Sequence, residues 1–214
     1  PIALGGRILP ALSEQGERKP AKYLNSPETR LYSKSDQLYA LNLGREDLAE
    51  QGKQKQIRNA IVMEGYTDVV IASQFGVPCP VAVCGTALGV RHLNLLRRFA
   101  DRVTLVLDGD EAGQRRAAEV LELFVAGQME LRIVTLPDGL DPADYLIAHG
   151  MDAFQKLIDE SLDALDFCVR RETHGIDLAN ETQRATPALQ RILRTMAKAP
   201  RPREDTPSYF RLRE

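Results

Sequence analysis

From residue 59 onward, short apolar runs alternate with amphipathic stretches, and two of the runs stop abruptly at acids and a glycine. One is Ile61-Val62-Met63, followed by Glu64-Gly65-Tyr66-Thr67-Asp68. The other is Val103-Thr104-Leu105-Val106-Leu107, followed by Asp108-Gly109-Asp110-Glu111-Ala112-Gly113. A near-continuous apolar run bounded by turn residues is the pattern of a strand buried on both faces of a parallel sheet. Ligands of such sheets sit beyond the carboxyl ends of the strands. Both runs therefore deliver carboxylates to the edge where chemistry is done. Hard oxygen donors gathered there suit Mg²⁺ or Mn²⁺, which points to a metal-dependent phosphoryl-transfer site.

The same alternation sets the expected order of elements. Strands are predicted over 60–64, 81–83, 103–107 and 131–136. Between them fall a helix capped by Thr67 or Asp68 and ended by Gly76, a helix over 90–100, and a helix over 111–126. In the last, Ala117, Val120, Leu121 and Phe124 share one face, and Gly127 follows as a natural stop. Strands joined through helices imply right-handed crossovers and a parallel sheet. A helix begins at Asp141-Pro142-Ala143-Asp144, residues 152–173 continue as helix, and 188–199 form a further one. Upstream, 13–36 read as loop with short strands, 37–43 as the start of a helix, and 45–56 as a polar helix or linker. The expected organisation is a partial basic α+β subdomain over 1–58, an α/β catalytic subdomain over 59–150, and a truncated helical subdomain over 151–214. The apolar Gly-Gly opening reads as the middle of a domain, so a fragment of a longer protein is expected.

Charge is distributed in keeping with that division. The formal net charge is only −2, yet residues 1–58 hold 10 basic against 7 acidic side chains and residues 59–150 hold 7 against 12. Carboxylates concentrated beside a basic segment are what a metal site next to a nucleic-acid track requires. No apolar run is long enough to span a bilayer, and no signal-peptide pattern leads the chain. Cys79, Cys84 and Cys168 form no CxxC pair, which fits a reducing cytosol and argues against a structural zinc site.

Asp108 and Asp110 are the first candidates for metal ligands. Gly109 between them allows a turn that lets both carboxylates face one point. A cap on the 111–126 helix explains Asp110 alone but not an Asp at the end of an apolar strand. The spacing of Asp108, Asp110, Gly113 and Glu119 mimics an EF-hand loop, but position 5 is Ala112 and the preceding run is a strand. Glu64, at the end of its own strand, is placed to bind metal or move a proton. Asp68 serves equally as helix cap or ligand. Asp141 with Asp144 reads as a near capping box, and only its position after a fourth strand makes it a ligand candidate. Arg7, Lys22, Lys34 and Tyr23 are candidates for phosphate or base contacts. His92, His149 and His174 share no motif.

Together these residues resemble the RNA polymerase core of bacterial DnaG-type primases. Glu64-Gly65-Tyr66-x-Asp68 and Asp108-Gly109-Asp110-x-Ala112-Gly113 match the Toprim signature as primases carry it. Gly85-Thr86-Ala87-Leu88 matches the segment between those motifs. Gly5-Gly6-Arg7, the stretch Lys22-Tyr23-Leu24-Asn25-Ser26-Pro27-Glu28-Thr29, and Lys34 resemble the family's basic-subdomain motifs. The likeness covers about residues 1–150. It implies a Toprim-like sheet flanked by helices, and synthesis of short RNA primers on single-stranded DNA from ribonucleoside triphosphates by two-metal transfer. Glu64, Asp108 and Asp110 would form the central acidic set, with Asp68, Asp141 and Asp144 nearby and Mg²⁺ or Mn²⁺ as cofactor. Arg7, Lys22 and Lys34 would line the groove for template, nascent RNA primer or nucleotide, with Tyr23 and Asn25 alongside. The family reads Asp-Pro-Asp-Glu where this chain has Asp141-Pro142-Ala143-Asp144, so a ligand is lost at Ala143 or shifted to Asp144. The zinc-binding domain and the domain that contacts the replicative helicase would lie outside this sequence, as would the upstream part of the polymerase core, so the segment, lacking part of the DNA-binding wall, is expected to make primers poorly. The setting implied is the bacterial cytoplasm, at the replication fork, without a membrane. A haloacid-dehalogenase-like phosphatase and a non-catalytic Toprim DNA-binding scaffold are the alternatives.

Overall fold

Eight strands and six helices carry the described part of the chain. A computed structural model describes residues 2–8, 23–44, 57–83, 87–109, 111–127 and 129–198, with backbone only at Tyr23, 111–115 and Ala118. In chain order the strands are β1 (Gly5–Arg7), β2 (Tyr23–Asn25), β3 (Leu38–Tyr39), β4 (Ile57–Met63), β5 (Pro80–Val83), β6 (Ala100–Leu107), β7 (Glu130–Thr135) and β8 (Leu162–Asp163). The helices are α1 (Tyr66–Gln74), α2 (Val90–Leu96), α3 (Glu111–Gly127), α4 (Pro142–Asp159), α5 (Ala164–Thr173) and α6 (Thr182–Met196). Two 3-10 turns, Lys34–Asp36 and Pro137–Gly139, and the helical residues 41–44 at the edge of a described segment complete the set.

β3 to β8 form one sheet in the order β3-β5-β4-β6-β7-β8, and β1 pairs with β2 in a separate antiparallel ribbon. The four central strands are parallel, as the alternation predicts. β3 and β8 add antiparallel edges, so the sheet is mixed rather than purely parallel. Successive side chains point to opposite faces of a strand, and both faces are covered. On one side Ala60, Val62, Val103, Leu105, Leu107 and Ile133 pack against Leu93, Leu96, Val120, Phe124 and Ile192 from α2, α3 and α6. On the other, Ile61, Met63, Val106 and Val134 pack against Val69, Ala72, Leu146 and Phe154 from α1 and α4. Phe124 and Phe154 are fully buried, and each such side chain contributes roughly 1.5–3 kcal/mol by leaving water.

Several boundaries differ from expectation for local reasons. α1 is capped by Gly65, not by Thr67 or Asp68, and Asp68 occupies its third helical position. α2 stops at Leu96, because Arg98 and Phe99 bond back three residues to Leu95 and Leu96 and tighten the last turn. Ala100 is thereby freed to enter β6 opposite Ile57. The expected 152–173 helix is two helices. α4 is broken at Gly150 (φ 79°) and ends at Asp159; β8 then pairs with β7, and Asp163 caps α5 by accepting from the Leu165 N–H at 2.8 Å. Arg132 fixes that crossing by donating to the Ser161 hydroxyl at 2.9 Å and carbonyl at 2.6 Å. Residues 38–39 are a strand, and helix begins only at 41. α6 starts at Thr182, upstream of Pro187. The expected element over 45–56 lies outside the described residues. No helix among the described residues is long and apolar enough to cross a membrane.

Candidate active site

The winding of the sheet decides where the site is. From β4 the chain crosses by α1 to β5 on one side. From β6 it crosses by α3 to β7 on the other. α1 and α3 lie on opposite faces. The crevice therefore opens between the carboxyl ends of β4 and β6, where the direction of winding reverses. Val62 stands opposite Leu105 across that pair. Glu64 follows β4 directly and Asp108 follows β6. Asp141, after the turn that leaves β7, is the N-cap of α4, with Pro142 at the first helical position. Three neighbouring strands thus present an acid each at one edge.

Asp68 joins them from α1. It is 6% exposed. Its carboxylate accepts from the Gly65 N–H at 3.0 Å, and the Ala143 N–H bonds to it as well. Burial does most to push its carboxyl up, to about 6; Asp141 and Asp108 add their negative charge, and the two N–H bonds oppose the rise. Asp68 is therefore both an α1 end-group and a member of the acidic cluster. A Cβ at Gly65 would stand 2.6 Å from its Oδ2, so only glycine leaves the carboxylate its place.

This rise fixes a pH dependence. The folded protein holds the Asp68 proton more tightly than the unfolded chain, so the charged carboxylate costs stability at neutral pH. The cost is relieved as pH falls through about 6 and is nearly gone by pH 4. Asp68→Asn, which carries no charge, is expected to be the more stable protein at pH 7 without metal. That advantage shrinks by about 2 kcal/mol between pH 7 and pH 4. Urea unfolding in the presence of a chelator measures it, and an advantage that does not change with pH contradicts the cluster.

Asp144 takes a different part. Its side chain is exposed, and its N–H donates to Asp141 Oδ1 at 2.7 Å. Ala143 is buried and serves through its N–H on Asp68. Backbone N–H groups at the start of α4 thus hold Asp68 and Asp141. Asp110 lies outside the described residues. Glu64 is held elsewhere: Arg116 of α3 contacts its Oε1 through Nε at 2.6 Å. Sequence reasoning did not find Arg116, because nothing in the local pattern marks a helical arginine as the partner of a distant strand end.

The basic set is partly visible. Arg7 closes β1 opposite Tyr23 and is exposed. Asn25 at the end of β2 accepts from the Tyr66 hydroxyl at 2.9 Å, and Tyr66 meets Tyr39 edge-on at 5.1 Å between ring centres. Tyr66 opens α1 between Glu64 and Asp68, so the ribbon is docked against the acidic edge. A cleft of about 470 Å³ lies there, walled by Gly5, Arg7, Tyr39, Tyr66 and Thr67 among others. Tyr66→Phe is expected to loosen the ribbon by about 1 kcal/mol. Faster hydrogen exchange in β1 and β2 with an unchanged sheet would show it, and an unchanged ribbon would refute it. Lys34 sits in a 3-10 turn clamped from α2: buried His92 accepts from the Gly89 N–H at Nδ1 (3.1 Å), leaving Nε2–H for the Lys34 carbonyl at 3.3 Å. Arg91 grips Asp36 through one nitrogen at 2.8 and 2.9 Å. Lys22 and the Tyr23 side chain lie outside the described residues.

The donor set is chemically suited to a hard divalent cation, since Asp141 and Asp108 both press their charge on buried Asp68 and a dication would relieve that. Among the described residues no three such side chains are drawn close enough to enclose an ion.

A doubly wound sheet with acids at its switch point is the architecture of a Toprim domain, and the Toprim-like family model matches residues 61–146. The model for the N-terminal domain of the DNA primase catalytic core matches residues 1–45. Among curated relatives, the DNA primase of Streptomyces coelicolor is 37% identical over 169 residues, covering 77% of this chain and 25% of the relative. A structure of the DnaG catalytic core superposes with a TM-score of 0.78 at 31% identity, covering 99% of this chain and 64% of that one. A structure of the DnaG primase catalytic domain bound to ssDNA gives 0.77 at 32% identity, over 93% and 59%. The chain belongs to the DnaG-type primase family, within the catalytic core. It spans about a quarter of the length of the Streptomyces coelicolor relative.

Proposed function

We propose that this chain carries out template-directed synthesis of RNA primers on single-stranded DNA, as a nucleotidyltransferase. The observation that carries the proposal is the convergence of Asp68, Asp108 and Asp141 at the β4–β6 switch point. The chain divides near residues 58 and 150 into basic, catalytic Toprim and helical subdomains, with β3 and β8 joining the central sheet from either side. Glu64, Asp108 and Asp110 are the central acidic residues, with Asp68 and Asp141 beside them and Asp144 acting through its N–H. Mg²⁺ or Mn²⁺ bound by these carboxylates supplies the positive charge that favours the ionised 3′-hydroxyl and offsets the triphosphate. The 3′-oxygen would bond the α-phosphorus as its proton passes to a carboxylate of the set, Glu64 in this reading, and the bond to the leaving pyrophosphate would break. Asp108 and Asp141, fixed at strand and helix ends, would hold the metal ions in place without reorganising, and the reacting groups would be oriented by them. Arg7, Lys22 and Lys34 grip backbone phosphates, and Tyr23 and Asn25 line the same track. The neighbouring structure with bound ssDNA supports that partner. Contact with the replicative helicase and a place at the replication fork follow from the same reading.

Fluorescence anisotropy with a labelled single strand tests the substrate class. Binding is expected at low salt and should weaken by an order of magnitude or more as salt rises several-fold, roughly as counterion release from a few phosphates demands. A protein that ignores DNA and hydrolyses phosphate monoesters is a phosphatase instead.

A further inference from the structure

Arg116 pairs with Glu64, one of the acids that would hold a divalent cation. The contact is a close ion pair, Nε to Oε1 at 2.6 Å, without the alignment of a hydrogen bond between those two atoms, and both are shut off from water although the rest of each side chain is part-exposed. The pair lies on the wall of a cavity of about 430 Å³ whose other lining includes Val62, Leu105, Leu107 and Val120. Arginine stays charged at any working pH, so its guanidinium both neutralises Glu64 and repels a dication. Asp141 and Asp108 press their charge on Asp68, whereas Glu64 carries the guanidinium of Arg116.

We infer that Arg116 is a positioning residue, a latch that holds Glu64 away from the aspartate cluster and gives it up when a divalent cation binds. The inference rests on the metal-site reading above and adds to it a gate that the acids alone do not provide. Cation affinity is then set by competition, since an ion that engages Glu64 does so against the charge of Arg116 on the same carboxylate. Arg116 also has somewhere to go, because the cavity beside it is open and Glu119, one turn further along α3, lines the same space. The latch is a property of this chain's own side chains and is measurable without turnover.

The test is Mn²⁺ binding to the metal-free protein, followed by electron paramagnetic resonance of the free ion. Arg116→Met keeps the stem out to about the position of Nε and removes the guanidinium and its charge, and it is expected to tighten Mn²⁺ binding at least fivefold. The gain should vanish when Glu64→Gln is added, because the cycle isolates the pair. Arg116→Lys keeps a charge but loses the planar fork, so it should give a smaller gain, and it serves where the methionine variant does not fold. Unchanged or weaker binding in both variants overturns the latch while leaving the metal site standing. A gain that persists in the Glu64→Gln background also overturns it, since a general charge effect would then be the cause. Absence of Mn²⁺ binding in every form, the wild type included, removes the metal reading and the latch with it.

Discussion

Asp108→Ala is expected to lower ribonucleotide incorporation by roughly two to three orders of magnitude, the usual loss when one preorganised charge-stabilising group leaves a site. The fold should survive. Asp108 lies just past β6, whose hydrophobic residues Val103 and Leu105–Leu107 are all buried without it. It also adds to the negative charge that raises Asp68, so its removal eases crowding instead of opening a hole. The melting temperature of the metal-free variant should therefore match or slightly exceed the wild type. Binding to single-stranded DNA should be unchanged, because the basic track is a separate set of residues. Loss of activity with melting and DNA binding intact is the signature of a chemical role. Unaltered incorporation would show that the switch-point acids are not the reacting centre, and would favour a non-catalytic scaffold.

Gly109→Ala should do the opposite, damaging structure and activity together. Gly109 does not lie in the left-handed region, so its need for glycine is not conformational. It is spatial. A Cβ there would come within 2.2 Å of the Leu136 carbonyl oxygen and 2.8 Å of the Gly139 nitrogen. Both are backbone atoms and cannot swing aside. The Leu136 N–H already bonds to the Leu107 carbonyl at 3.1 Å, which ties the two strand ends together at this point. Forcing a methyl between them must push the β6 end away from the turn that leads to Asp141. The expected cost is about 3 kcal/mol, or a fall in melting temperature of roughly 6–12 °C for a chain of this size. Asp108 and Asp141 would be moved apart, so activity should fall even at temperatures where the variant is folded. Differential scanning calorimetry with a parallel activity assay checks both, and a wild-type melting temperature would contradict the close approach.

What could be read from the sequence follows from what each feature depends on. β4 and β6 were legible because burial on both faces leaves an uninterrupted apolar run, a local property. The acids at their ends were legible for the same reason: an acid that ends such a run stands out. The role of Gly109 was legible only in part. Its presence was noted as a turn, but its cause is contact with a strand that the local sequence does not specify. β3 and β8 are two residues each, too short to show alternation, and they exist because the sheet edge offers partners. The break of the expected 152–173 helix also depends on pairing with β7. Asp68 was read as cap or ligand and left open; burial and its neighbours make it both a helix end-group and a cluster member. Arg116 and the backbone N–H of Ala143 had no signal at all. One depends on where α3 lies over the sheet, and the other acts through an atom that every non-proline residue has.

The most direct measurement is incorporation of labelled ribonucleotides with Mn²⁺ on a single-stranded DNA template, using the longest natural polypeptide that carries this sequence. Short RNA products whose composition follows the template, and which disappear when the template is omitted, are predicted. Release of phosphate without template, or no RNA from a folded protein that binds the same strand, would contradict a primer-synthesising site at the β4–β6 edge.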